Sequence, residues 1–175
     1  ELWRADFGDQ IAPRLPISNT SSNWDHYSAS IAVGRRQIVA AARDGCVYAF
    51  ESRSGARRWR ECRQSVFTGT PAIARGHVYV GDFDGRAYAF SLDSGAEIWR
   101  REEHGALPRD PVVVGDNVIF GSRAYDLVAL STDTGAPAWR RYFWYSWVDS
   151  PPTIANGVLY VGSSDALAIQ AFDAH

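Results

Sequence analysis

The chain has no methionine and no lysine among its 175 residues, and only two cysteines. Without methionine at its head, residue 1 is not expected to be a native start, and a removed leader or a cloned segment is the expectation. Cys46 and Cys62 are too few for a disulfide framework or a four-ligand zinc site. The four histidines, His26, His77, His104 and His175, are scattered without metal-ligand spacing and read as surface residues, so no metal site is expected. All side-chain positive charge rests on 18 arginines against 20 acidic residues, a net charge of −2. No basic face advertises nucleic acid or an anionic membrane. No apolar run approaches the length of a bilayer span, and no charged, then apolar, then small-residue leader opens the chain, so a soluble segment without membrane insertion is expected. A glycine-rich phosphate loop, a Gly-x-Ser-x-Gly elbow and a Ser/His/Asp set of workable spacing are also missing.

What is present is a repeat. Gly-x-x-x-Trp recurs as Gly55 with Trp59, Gly95 with Trp99 and Gly135 with Trp139, a period of 40 residues. The same shift carries Ala49 to Ala89 to Ala129, and Pro71 to Pro111. A fourth copy holds Pro152, Gly162 and Ala171, displaced by one or two residues. Within one copy, short segments rich in Val, Ile, Tyr and Phe are divided by Gly, Asp and Asn turns about every ten residues, which is the pattern of a four-stranded propeller blade. The expected fold is therefore all-β, a β-propeller of four-stranded antiparallel blades with four blades in the chain. One domain spans 1–175, with blades at about 28–62, 68–102, 108–143 and 148–175, the last completed by a strand at 1–7.

Cross-strand pairing gives each tryptophan a structural role. If the third and fourth strands of a copy pair in one constant register, Ala49 faces Trp59, Ala89 faces Trp99 and Ala129 faces Trp139. A small residue opposite an indole leaves room for the ring to lie over the sheet and reach the next blade. Trp3 with Ala171 is the expected fourth pair, because Glu1-Leu-Trp-Arg4 matches Glu97-Ile-Trp-Arg100 and the fourth copy stops before its own Trp-bearing strand. Two geometries would complete that blade: a closed four-bladed ring, or two chains exchanging N-terminal strands into an eight-bladed homodimer, which is the expectation.

The same register makes Cys46 and Cys62 cross-strand neighbours. Opposed Cβ atoms lie roughly 4.5–5.5 Å apart, whereas a disulfide prefers about 3.8 Å, so a bond and two free thiols in contact both stay open. A bond would favour an oxidising compartment.

Val78-Tyr-Val-Gly-Asp-Phe-Asp-Gly-Arg-Ala-Tyr-Ala-Phe-Ser-Leu-Asp-Ser-Gly-Ala-Glu-Ile-Trp99 resembles the pyrroloquinoline-quinone-like propeller repeats, which show an apolar strand, Asp-Gly, Tyr-Ala, Ser/Thr-Gly and a docking Trp. Asp44-Gly45 through Trp59 repeats the pattern, Leu127 through Trp139 lacks the Asp-Gly turn, and Asp165 through Phe172 is the weakest copy. The resemblance covers the chain apart from about residues 8–27 and implies the fold more than a function. It spans redox enzymes, an outer-membrane protein-assembly lipoprotein and sensor domains of membrane kinases.

For a quinoprotein dehydrogenase the resemblance implies a vicinal Cys-Cys ring, a calcium ion, an Asp base and a Trp beneath the quinone. The chain has no adjacent cysteines, and its asparagines, Asn19, Asn23, Asn117 and Asn156, fall in turns or in the N-terminal segment. No cofactor and no catalytic residue is expected; pyrroloquinoline quinone and calcium belong to the alternative reading. What remains is a binding face at one end of the blades: Trp24, His26, Tyr27, Phe83, Arg109, Arg123, Tyr125, Trp144, Tyr145 and Trp147. Five of the six residues 142–147 are aromatic, which reads either as a buried blade edge or as a surface holding a protein, a peptide or a glycan. The expected function is a non-catalytic, extracytoplasmic binding scaffold.

Overall fold

The computed structural model describes residues 1–8, 31–143, 146–148, 150–163 and 168–173. Among them are fifteen strands and no helix, so no helix is long and apolar enough to cross a membrane. Blade 1 holds β1 (Ile31–Val33), β2 (Gln37–Ala41), β3 (Cys46–Glu51) and β4 (Arg57–Cys62). Blade 2 holds β5 (Ala72–Ala74), β6 (His77–Gly81), β7 (Arg86–Ser91) and β8 (Glu97–Glu102). Blade 3 holds β9 (Val112–Val114), β10 (Asn117–Gly121), β11 (Asp126–Ser131) and β12 (Pro137–Tyr142). Blade 4 holds β13 (Thr153–Ala155), β14 (Val158–Ser163) and β15 (Ala168–Asp173). Each is an antiparallel meander in chain order.

Burial follows strand position. The two middle strands of blades 1 to 3 are buried on both faces, whereas in β4 and β8 the tryptophan alone is buried. Blades pack face to face, and the core is the series of seams between them. Val39, Val47, Ala49 and Trp59 of blade 1 pack on Val78, Val80, Tyr88 and Phe90 of blade 2. Tyr79, Ala89 and Trp99 meet Val118, Phe120, Val128 and Leu130 at the second seam, and Ile119, Leu127 and Phe143 meet Leu159 and Val161 at the third.

The tryptophans lock these seams. Ala49 faces Trp59, Ala89 faces Trp99 and Ala129 faces Trp139. Trp59 Nε1 donates to the Leu92 carbonyl at 2.9 Å and Trp99 Nε1 to the Thr132 carbonyl at 2.9 Å, so each indole spends its one donor on the next blade. The glycine of the next Gly-x-x-x-Trp lies beneath the ring: a Cβ on Gly95 would come within 2.7 Å of Trp59, and one on Gly135 within 2.7 Å of Trp99. The repeat's glycine and tryptophan are thus one contact, made between successive copies rather than within one.

Two sequence expectations need correcting. The register is not constant, because a bulge follows Ala49, Ala89 and Ala129 and leaves Arg58, Ile98 and Ala138 without a cross-strand partner. A bulge bends the outer strand and re-aims the residue beside the indole. The strand at 1–7 does not complete blade 4 within the chain either. Among the described residues β15 pairs with β14 alone, and residues 1–8 run along blade 1. There Trp3 donates to the Ser52 carbonyl at 3.2 Å and sits over Gly55, which repeats the Trp59–Gly95 contact without any pairing to Ala171. Trp3 thus docks on blade 1 as Trp59 docks on blade 2, and beside it Ala5 packs on Tyr48 and Phe50.

Cys46 faces Cys62 with the Cα atoms 4.0 Å apart, and the two sulfurs are bonded.

Candidate functional site

Antiparallel meanders send alternate turns to opposite ends of the blades. The β2–β3, β6–β7 and β10–β11 turns share one end with the links between blades. In blade 2 the fully buried Asp82 organises its turn: Oδ1 accepts from the backbone N–H of Asp84 (3.0 Å) and of Arg86 (2.8 Å), and Oδ2 accepts from the Tyr88 hydroxyl (3.0 Å). Burial pushes the Asp82 carboxyl above its ordinary range, and burial together with the Asp82 charge pushes the Tyr88 hydroxyl up to about 12. That fixed turn presents Phe83.

Blade 3 builds its turn differently. Ser122 stands in place of Asp82; its hydroxyl donates to Asp126 and accepts from the Ala124 N–H at 2.9 Å. Arg140 donates to Asp126 and to Glu103 of the β8–β9 link, so two buried carboxylates hold one guanidinium across the seam. Next to this clamp, Tyr125 has φ 65°, the left-handed region, where blades 1 and 2 place Gly45 and Gly85. Its carbonyl accepts from the Phe143 N–H at 2.6 Å, as Gly45 and Gly85 accept from Arg63 and Glu103, so the backbone conformation is demanded by the turn. An aromatic side chain there costs about 1–2 kcal/mol of strain, yet it is 44% exposed and buries little in return.

Between these turns lies a three-layer stack. The Arg123 guanidinium carbon is 5.2 Å from the Phe83 ring centre and 4.7 Å from that of Trp147. Phe83 belongs to blade 2, Arg123 to blade 3 and Trp147 to the link into blade 4. Cation–π contacts of this kind contribute about 0.5–1 kcal/mol each at exposed sites. Trp147 remains 39% exposed. The hydrogen bond that aligns the links is made by Phe67, Leu107 and Val148, so Trp147 corresponds to Val66 and Ala106. Neither counterpart is a large exposed ring.

Phe83, Arg123 and Trp147 are therefore brought together from the expected binding face, with Tyr125 on the adjoining turn. Arg109 lies at the same end but outside the stack, in the β8–β9 link, with its carbonyl packed against Gly69. Trp24, His26, Tyr27, Trp144 and Tyr145 fall outside the described residues. Tyr142, which ends β12, is a further exposed aromatic on this border. Among the described residues no three His, Cys, Asp or Glu side chains gather in a way that could hold a metal ion.

Four-stranded blades stacked face to face and docked through a repeated tryptophan define a β-propeller of pyrroloquinoline-quinone-like repeats. A family profile described as outer membrane protein assembly factor BamB matches residues 1–141 and, in a second overlapping placement, 83–175. The chain belongs to that family. Among solved structures it is similar to BamB from Moraxella catarrhalis, at 26% identity and a TM-score of 0.75 over 83% of this chain and 46% of that one. The computationally designed Ika4 protein matches at 16% identity and a TM-score of 0.74, over 86% of this chain and 93% of the design. A quinohemoprotein alcohol dehydrogenase from Pseudomonas putida HK5 shares the fold at 16% identity and a TM-score of 0.65, over 85% of this chain and 34% of the enzyme. The chain spans about half the length of the BamB structure. No curated protein matches the sequence.

Proposed function

We infer that the chain is a non-catalytic, extracytoplasmic β-propeller module that holds a protein partner in outer-membrane protein assembly through its Phe83–Arg123–Trp147 face. The observation that carries this reading is the stack itself. Its exposed indole, Trp147, stands where the other copies hold Val66 and Ala106, whereas the arginine position is also arginine in blade 1 (Arg43), so the indole and its stacking on Arg123 are what distinguish this face from the rest of the repeat. Exposed aromatics beside arginine are the residue types that dominate protein interfaces. Membership in the BamB family supports the assembly role, and the Cys46–Cys62 bond supports an oxidising compartment. The quinoprotein alternative does not fit these residues: it needs two consecutive cysteines, whereas Cys46 and Cys62 lie 16 residues apart and join β3 to β4.

The test is capture from detergent-solubilised outer-membrane extract by the immobilised chain, followed by identification of what is retained. An outer-membrane assembly protein held by the native chain and lost from Arg123→Ala and Trp147→Ala is the expected result. Equal retention by both variants, or retention of a glycan alone, would overturn it.

A further inference from the structure

At the opposite end of the blades, the β1–β2, β5–β6 and β7–β8 turns enclose a groove of about 1050 Å³ along the seam between blades 1 and 2. Its apolar lining is Val33, Ile73 and Leu92, and it carries Arg35, Arg36, Arg58 and Arg75 against a single carboxylate, Asp93. Arg75 is engaged by Asp116 at 2.6 Å. Among the described residues Arg35, Arg36 and Arg58 make no ion pair. The bulge beside Trp59 turns Arg58 toward the groove, and with the buried Gln37 amide donating to the Leu92 carbonyl (2.9 Å), its oxygen accepts from Arg58 Nη1 (3.2 Å). That contact ties the Arg58 guanidinium to the groove wall.

The repeat supplies an internal control. Forty residues on, Arg36, Arg58 and Arg75 become Gly76, Ile98 and Gly115, and the second seam folds without them. The fold does not require this charge.

We propose that the groove is a second binding site, separate from the aromatic face, for an extended acidic peptide segment of a protein partner. Arginine forks match carboxylates in two-pronged geometry, and an apolar floor receives the side chains between them. The groove is at the upper end of the size of small-molecule sites, larger than a single phosphate fills. A nucleic acid or other polyanion meets a chain of net charge −2 with 20 acidic residues, which repels it at long range, whereas a few carboxylates answer the local arginines.

The experiment is fluorescence anisotropy of the full chain with a labelled Glu-Leu-Glu-Leu-Glu-Leu peptide, its lysine-for-glutamate counterpart, and inorganic phosphate as competitor. The acidic peptide should bind, more weakly as salt rises, and Arg36→Ala with Arg58→Ala should weaken it about tenfold. Arg53→Ala with Arg57→Ala removes the same charge outside the groove and should change it less than about twofold. Should the first pair disturb folding through Gln37, Arg36→Glu alone must still abolish binding. No binding, equal loss in both pairs, equal binding of the lysine peptide, or competition by phosphate as effective as by unlabelled peptide would each overturn the proposal. None of these variants touches the Phe83–Arg123–Trp147 face, so its partner capture should persist in all of them.

Discussion

Replacing Tyr125 with glycine should make the protein more stable and less able to bind. The residue holds φ 65° on an L-amino acid, at a turn where blades 1 and 2 use glycine. Releasing the strain returns about 1–2 kcal/mol, while glycine gives back roughly 0.5–1 kcal/mol through the freedom it gains in the unfolded chain. The net expectation is about 0.5–1 kcal/mol of added stability, or a few tenths molar in urea midpoint at a slope of about 2 kcal/mol/M. Urea unfolding followed by tryptophan fluorescence measures it. Tyr125→Ala is the informative companion, since it removes the ring but keeps a Cβ at positive φ, and it should recover less than glycine does. A Tyr125→Gly protein less stable than the native chain would refute the reasoning, because the ring would then be contributing contacts worth more than the strain.

Three further outcomes follow from the same geometry. Gly95→Ala should lose more than about 2 kcal/mol, because φ is 76° and the new Cβ would meet the Trp59 ring at 2.7 Å; Gly76→Ala, at φ 75° with nothing within 4 Å, should lose only about 1 kcal/mol in the same denaturation assay. Breaking the Cys46–Cys62 bond, by reduction or by Cys46→Ser with Cys62→Ser, opens a loop of 16 residues and should lower stability by about 3 kcal/mol, read as a shift in thermal midpoint. In an alkaline ultraviolet titration Tyr88 should stay neutral until about pH 12. Its native pKa lies above the unfolded value near 10, so the native state holds the proton longer, and this contribution to stability is intact below pH 10 and is lost as pH rises from about 10 to 12.

Much of the fold was legible because a repeat states the same contact several times. Ala49, Ala89 and Ala129 declared their tryptophan partners, and Cys46 its cysteine, because cross-strand neighbours follow from one register. The bulges at Arg58, Ile98 and Ala138 stayed hidden, since every copy carries the same extra residue and the 40-residue period never breaks. Trp3 shows what matching strands by sequence can reach: its likeness to Trp99 predicted a docking tryptophan, and it docks over Gly55 of blade 1 as Trp59 docks over Gly95 of blade 2, while its pairing with Ala171 is absent within the single chain. The candidate site was half legible. Phe83, Arg123 and Trp147 were selected one by one as loop residues, but their stacking depends on three blades meeting at one end. The strain at Tyr125 could have been read by setting it beside Gly45 and Gly85. The arginine groove escaped because its residues come from separate turns and strands, and Arg36, Arg58 and Arg75 have glycine or isoleucine at the matching positions of the next copy.

The most direct test of the binding face is site-specific photocrosslinking. A benzoylphenylalanine placed at position 147, one at position 125 and one at position 98 report, respectively, on the stack, on the strained turn beside it, and on an exposed outer-strand residue of blade 2. Irradiated with outer-membrane extract, the chain should form a covalent adduct with one and the same assembly protein from positions 147 and 125 and none from position 98. Adducts of equal yield from all three positions, or from position 98 alone, would contradict the account.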